Sequence, residues 1–321
     1  MFAFLFPGQG SQCPGMGSFL YENFKTAKET FEEASDAINL DLKKLCFTGT
    51  AEDLALTENT QPALLTVSTA TARVLERDLG VKPNITAGHS IGEYASLVLA
   101  QALKFPDAVR AVRLRGQAMQ SAVPVGQGGM TATLGLTEEQ VLFLCDWTVK
   151  NSGHSPLSPA NYNCDGQIVI SGNMKALEWL KTNFKPDVLP GEAKRAKLIP
   201  LQVSAPFHCE MMRPAQEKMA AFFRTIEFQD AHLNVIQNFH AKAESNGEKL
   251  KHNIIEQVSA PVKWTQSMNA LKNLNQPNCI EAGNGSVLKG LLKKIDGEFF
   301  KVYSTSSLED LKAIEQSASK I

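Results

Sequence analysis

The 321-residue sequence has no C-x-x-C pair, no H-E-x-x-H and no histidine at zinc spacing from a cysteine. Those absences leave no recognisable metal site. Its six cysteines (13, 46, 145, 164, 209 and 279) are scattered and no export signal precedes them. They read as reduced thiols of a cytoplasmic protein. A basic block is missing and net charge is −1, so nothing calls for nucleic acid or a membrane surface. No apolar run approaches the length of a bilayer span. The N-terminal Met1–Pro7 segment is apolar, but it stops at a proline and lacks a basic start, so it reads as a buried strand. Repeats and low-complexity segments are absent as well. What remains is one soluble globular chain, long enough for a large domain with a smaller insert.

The feature that organises this chain is Gly88-His89-Ser90-Ile91-Gly92, a G-x-S-x-G run followed by an Ala/Leu-rich helical stretch. A serine between two glycines can occupy a sharp strand-to-helix turn with its hydroxyl exposed. Unpaired N–H groups at the start of that helix can receive the oxyanion formed when Ser90 attacks a carbonyl. A plain glycine-rich loop is the alternative reading of these five residues.

Upstream, the strand Phe2–Phe6 runs into Pro7-Gly8-Gln9-Gly10-Ser11-Gln12. Position 13 is cysteine where G-x-G-x-x-G needs glycine, and no Gly-Lys-Ser/Thr follows, which argues against a nucleotide loop. A tight loop that brings the Gln9 N–H to a reacting centre fits better. A helix is predicted from Thr57, with Pro62 in its first turn. On a helical wheel of 106–122, Ala108, Val109, Ala111, Val112, Ala118 and Met119 share one arc, and Arg115 falls inside it. Arg110 and Arg113 lie on the polar face as solvated charge. An inward guanidinium needs an anion: either an internal carboxylate or a substrate carboxylate held by its fork.

Between 128 and 200 the pattern becomes strand, helix, strand, helix, strand, with a weak further strand, and is read as an inserted α+β subdomain. The main domain then comprises 1–127 and 201–321. The stretch 151–159 reads as a loop, and Ala160-Asn161-Tyr162-Asn163 either faces the cleft or simply turns. A strand over 197–203 is expected to end near Ser204, with Pro206 opening a helix and His208 at its N-terminus. There the helix dipole would keep the imidazole neutral and able to accept a proton. Near the C-terminus, Gly283-Asn284-Gly285-Ser286 is expected to cap a helix over 287–295.

Serine on an elbow, a histidine about 120 residues later and an inward arginine between them point to acyl transfer through serine. Five ordered motifs then carry a resemblance. They are Phe4-Leu5-Phe6-Pro7-Gly8-Gln9-Gly10-Ser11-Gln12, Gly88-His89-Ser90-Ile91-Gly92-Glu93, Leu114-Arg115-Gly116-Gln117-Ala118-Met119, Ala205-Pro206-Phe207-His208 and Gln257–Trp264. In that order they resemble the malonyl-CoA:acyl carrier protein transacylase family from residue 2 to about 295. The resemblance implies an α/β-hydrolase-like main domain with a mostly parallel sheet and a ferredoxin-like subdomain, with the site between them. It implies Ser90 as nucleophile, His208 as general base, the Gln9 and Ile91 N–H groups as oxyanion hole and Arg115 on the malonyl carboxylate. Gln257 would orient the histidine, and His89 and Asn161 would line the cleft. Malonyl-CoA and acyl carrier protein are the implied partners, with no cofactor or metal and a monomeric state. Gly283-Asn284-Gly285 departs from the family's usual Gly-Pro-Gly. A polyketide acyltransferase shares all of these motifs. An esterase shares G-x-S-x-G but would carry an HGGG-type loop and an acidic residue between serine and histidine.

Overall fold

The computed structural model describes residues 1–191 and 196–318. Two sheets organise them. The first contains β1 (Phe2–Phe6) and β2 (Pro83–Gly88) at its centre. The second contains β3 (Gly128–Leu134), β4 (Leu157–Cys164), β5 (Gln167–Asn173) and β6 (Lys197–Pro200). The chain then returns to the first sheet with β7 (Asn234–Ile236), β8 (Ala243–Glu244), β9 (Asn278–Glu281) and β10 (Lys301–Tyr303). The first sheet has the order β10-β9-β1-β2-β7-β8, parallel except for β8. Every residue of β1 is buried, as expected of a central parallel strand covered on both faces.

The second sheet has the order β4-β5-β3-β6 and is antiparallel throughout. With helices Glu138–Ser152 after β3 and Met174–Asn183 after β5, it forms the split βαββαβ arrangement of a ferredoxin-like unit. The strand that the sequence shows only weakly is β4. Asn161 and Asn163 stand on that strand rather than in a turn, and only 153–156 of the predicted 151–159 loop lies outside regular structure. Asparagine is depleted in strands, so propensity misled here. The predicted strand over 197–203 stops at Pro200. β4 is tied to the segment that precedes the helix Trp264–Asn273, where Tyr162 N–H donates to Val262 O (2.9 Å) and Val262 N–H to Ala160 O (2.8 Å).

Pro62 proves to be the sixth residue of the helix Thr57–Arg73, not part of its first turn. Lacking an N–H, it leaves the Glu58 carbonyl without a helical partner. Arg113 Nη1 donates to that carbonyl at 2.8 Å and to Asn59 Oδ1 at 2.6 Å. Arg113 is therefore a structural residue, whereas Arg110 is half-exposed and pairs with Asp107. Ser286 makes no side-chain cap on the helix Val287–Asp296. Glu281, at the end of β9, accepts from the N–H groups of Leu288 (2.9 Å) and Lys289 (2.8 Å) instead. Glu281→Gln is expected to lower stability by about 1–2 kcal/mol, since a charged acceptor for two helix N–H groups is lost. Denaturant titration should show a lower midpoint at unchanged slope.

Candidate active site

Three parallel strands, β1, β2 and β7, deliver their C-terminal ends to one place, where open α/β sheets put their ligands. After β2 the chain turns sharply into the helix Gly92–Leu99, with Ser90 at φ 50°. That left-handed conformation is strained for a residue with a Cβ. The two glycines permit it: a Cβ on Gly88 would lie 2.0 Å from the Gly92 carbonyl carbon, and one on Gly92 would lie 2.2 Å from Phe6 O. Asn238, just past β7, holds the turn from both sides. Its Oδ1 accepts from Ser90 N–H and its Nδ2 donates to Gly88 O, each at 2.7 Å.

His208 meets Ser90 across 118 residues, with Ser90 Oγ 2.7 Å from Nε2. The other ring nitrogen, Nδ1, is 2.9 Å from the backbone carbonyl of Gln257. A carbonyl can only accept, so Nδ1 carries the proton and Nε2 accepts from the serine hydroxyl. The expected helix N-terminus is not there: Glu210–Met212 is a short 3₁₀ turn and the α-helix begins at Arg213. His208 instead sits at φ 59° in an irregular loop. It is neutral for a different reason. Burial, then the nearby Arg115 charge, lowers its pKa from 6.5 to about 3, outweighing the hydrogen bond to Gln257.

That shift makes a prediction with a definite sign. An unfolded histidine binds its proton near pH 6.5, while the folded one stays neutral down to about 3. Stability from this group is therefore lost as pH falls from 6.5 towards 3. Denaturant midpoints at pH 7.5 and 4.5 should show that acid costs wild type more than it costs His208→Gln. A gap between the two proteins that ignores pH would mean an ordinary histidine.

Arg115 is 1% exposed. Its Nη1 donates to Gln61 Oε1 (3.0 Å), and its Nη2 to Gln257 Oε1 (3.0 Å) and Ser90 Oγ (3.2 Å). Among the described residues no carboxylate pairs with it, and its Nε has no partner. A buried guanidinium held by neutral groups, with N–H to spare, has the chemistry to receive an anion.

Around these groups lies a cavity of about 170 Å³, lined by Gln9, His89, Ser90, Arg115, Asn161 and His208 among others. His89 does not join the Ser90–His208 pair; its Nε2 is 2.9 Å from Asn163 Oδ1 and burial lowers its pKa. Neither the Gln9 nor the Ile91 N–H has a partner among the described residues. Gln257 meets His208 through its backbone, while its side chain serves Arg115, Ser90 O and Glu93. Sequence reasoning gave no role to Gln61, Glu93 or Asn238, and offered Asn163 only within a stretch that either faces the cleft or turns. Asn238 had a legible signal, a polar amide pair directly after an apolar strand. Among the described residues no cluster of His, Cys, Asp and Glu could hold a metal, and no helix is long and apolar enough to cross a membrane. All six cysteines are free, and only Cys13 is exposed.

The acyl transferase domain family matches residues 3–294. A malonyl CoA-acyl carrier protein transacylase of Bacillus subtilis is 46% identical over 92% of this chain and 90% of its own length. The Escherichia coli K12 protein of the same name is 41% identical, over 92% of each chain. Among solved structures, a malonyl-transacylase bound to its type II PKS acyl-carrier protein superposes with a TM-score of 0.91 at 37% identity, covering 98% of this chain and 99% of the other. The Coxiella burnetii malonyl CoA-acyl carrier protein transacylase gives 0.91 at 36%, over 98% and 96%. With a hydroxyl set on a neutral imidazole beside a buried guanidinium, and with such relatives over more than nine-tenths of its length, this chain belongs to the acyl transferase family and, within it, to the malonyl CoA-acyl carrier protein transacylases.

Proposed function

We propose that the protein moves a malonyl group from malonyl-CoA to the phosphopantetheine thiol of an acyl carrier protein through a malonyl ester on Ser90. The supporting observation is Arg115, buried, unpaired with any carboxylate among the described residues, and 3.2 Å from Ser90 Oγ. Ser90 Oγ attacks the thioester carbonyl while His208 Nε2 takes its proton. The oxyanion is received by the Gln9 and Ile91 N–H groups. Collapse breaks the C–S bond, and the proton passes from His208 to the leaving CoA sulfur. The carrier thiol then repeats these steps in reverse, leaving Ser90 free. Gln257 orients His208 through its carbonyl, and His89 and Asn161 shape the cleft wall. Arg115 turns from Ser90 to the malonyl carboxylate and holds it away from the reacting carbonyl.

We read residues 128–200 as a subdomain that forms one wall of the cleft, against a main domain of 1–127 and 201–321. We further propose a monomer acting in the cytoplasm: Ser90, His208 and Arg115 meet in one cavity, so the two half-reactions call for no second copy. The carrier is that of fatty acid synthesis. A polyketide carrier is the second reading, favoured by the solved transacylase that holds one. Transfer from malonyl-CoA to purified carriers of both kinds tests this, with kcat/KM expected to favour the fatty acid carrier. Release of free malonate at the rate of acylation, with no gain from either carrier, would instead indicate a thioesterase.

A further inference from the structure

Glu93 lies in the first turn of the helix behind Ser90, fully buried, and takes no part in the steps above. Its carboxylate is the hub of a closed network. Oε2 accepts from Asn238 N–H (2.7 Å) and from Gln257 Nε2 (3.1 Å), and Oε1 accepts from Gln237 Nε2 (2.9 Å). Asn238 is the residue that clamps the strained Ser90 turn from both sides. Gln257 carries Arg115 Nη2 on its other amide atom at 3.0 Å. The carboxyl group of this network is therefore one glutamine away from its guanidinium.

We infer that Glu93 is a positioning residue: through Asn238 it fixes the nucleophile turn, and through Gln257 it is the buried counter-charge that tempers Arg115's grip on the acyl carboxylate. This rests on the reading that Arg115 receives that carboxylate. A substrate anion at Arg115 must share the guanidinium with Glu93, so the site binds it more weakly than a lone buried arginine would. Weak ground-state binding favours turnover, because carboxylate binding that is equally strong in the transition state does not speed the chemical step.

Two substitutions separate the two tasks. Glu93→Gln keeps the shape and removes the charge. With the counter-charge gone from a poorly screened site one glutamine away from Arg115, malonate should bind on the order of tenfold more tightly by calorimetry at pH 8, where wild-type Glu93 is ionised. Acetyl-CoA KM should stay unchanged. The new NH2 group faces N–H donors, so the Asn238 bridge loosens and kcat for both thioesters should fall on the order of tenfold. Asn238→Ala cuts the bridge and leaves the charge, so kcat should fall while malonate affinity stays at the wild-type value. A merely structural Glu93 would not tighten malonate binding when replaced. Unchanged or weaker binding in Glu93→Gln overturns the counter-charge, and unchanged kcat in Asn238→Ala overturns the clamp. If wild type itself fails to bind malonate, the carboxylate reading of Arg115 has failed instead.

Wild type offers a test that needs no variant. Burial raises the Glu93 pKa to about 7 against the pull of its N–H donors and Arg115. The charged or titratable groups set against it are Arg115 and its neighbour Tyr94, and His208 stays neutral beyond Gln257. A second anion at Arg115 should push a proton onto Glu93. Malonate titrations at pH 7 in buffers of different ionisation enthalpy should report net proton uptake, and none at all overturns the inference.

Discussion

Replacing Arg115 by alanine is expected to collapse malonyl-CoA turnover while acetyl-CoA loses far less. The guanidinium lies in an arc of alanine, valine and methionine, with neutral oxygens as its only hydrogen-bond acceptors among the described residues. A malonyl carboxylate supplies the missing anion in fork geometry, and losing such a charged pair costs about 2–5 kcal/mol. At about 1.4 kcal/mol per tenfold, kcat/KM should drop by roughly 30-fold to several thousand-fold. Acetyl-CoA has no carboxylate to engage, so its loss is confined to the Ser90 Oγ contact and the cavity left behind. Arg115→Lys should recover only part of the activity, because a point charge cannot make both contacts. Equal losses for the two thioesters would mean that Arg115 merely holds the fold together.

The second large effect belongs to His208. Its Nε2 is the only base within reach of Ser90 Oγ among the described residues, and its lowered pKa leaves it neutral at any working pH. Base catalysis of this kind is worth about 10²–10⁴-fold, so His208→Ala should slow acylation by that much. The Gln257 carbonyl that orients the ring belongs to the backbone and no side-chain change deletes it. Gln257→Ala should therefore spare the histidine and harm Arg115. Its signature is a malonyl-selective loss, unlike the loss for both thioesters expected of His208→Ala. A His208→Ala protein within a few-fold of wild type would remove the imidazole from the mechanism.

The chemistry was legible wherever it needed a particular residue in a particular local setting. Ser90 stood between two glycines, and Arg115 fell on the wrong side of its helix, so each declared itself without coordinates. The structure brings His208 to Ser90, but without the helix N-terminus expected there. The sequence pattern suggested a helix dipole, while burial and Arg115 set its charge state. Burial depends on long-range packing, which no local pattern encodes. The same limit hid Glu93, Asn238 and Gln61, whose partners lie 145, 148 and 54 residues away. In the fold, β4 showed only as a weak strand because its asparagines also suit a turn, and the Glu281 cap was hidden because a glycine turn with a serine looked sufficient. Both are cases of tertiary context overriding propensity.

The central claim is a malonyl ester on Ser90, and intact-mass measurement tests it most directly. Wild-type protein quenched seconds after mixing with malonyl-CoA should gain the mass of one malonyl group. Peptide mapping should place it on Ser90, and holo acyl carrier protein should remove it. Ser90→Ala, folded to the same melting profile, should gain nothing. A malonyl adduct that persists on Ser90→Ala, or a wild-type protein that turns over malonyl-CoA without ever carrying one, would contradict the account.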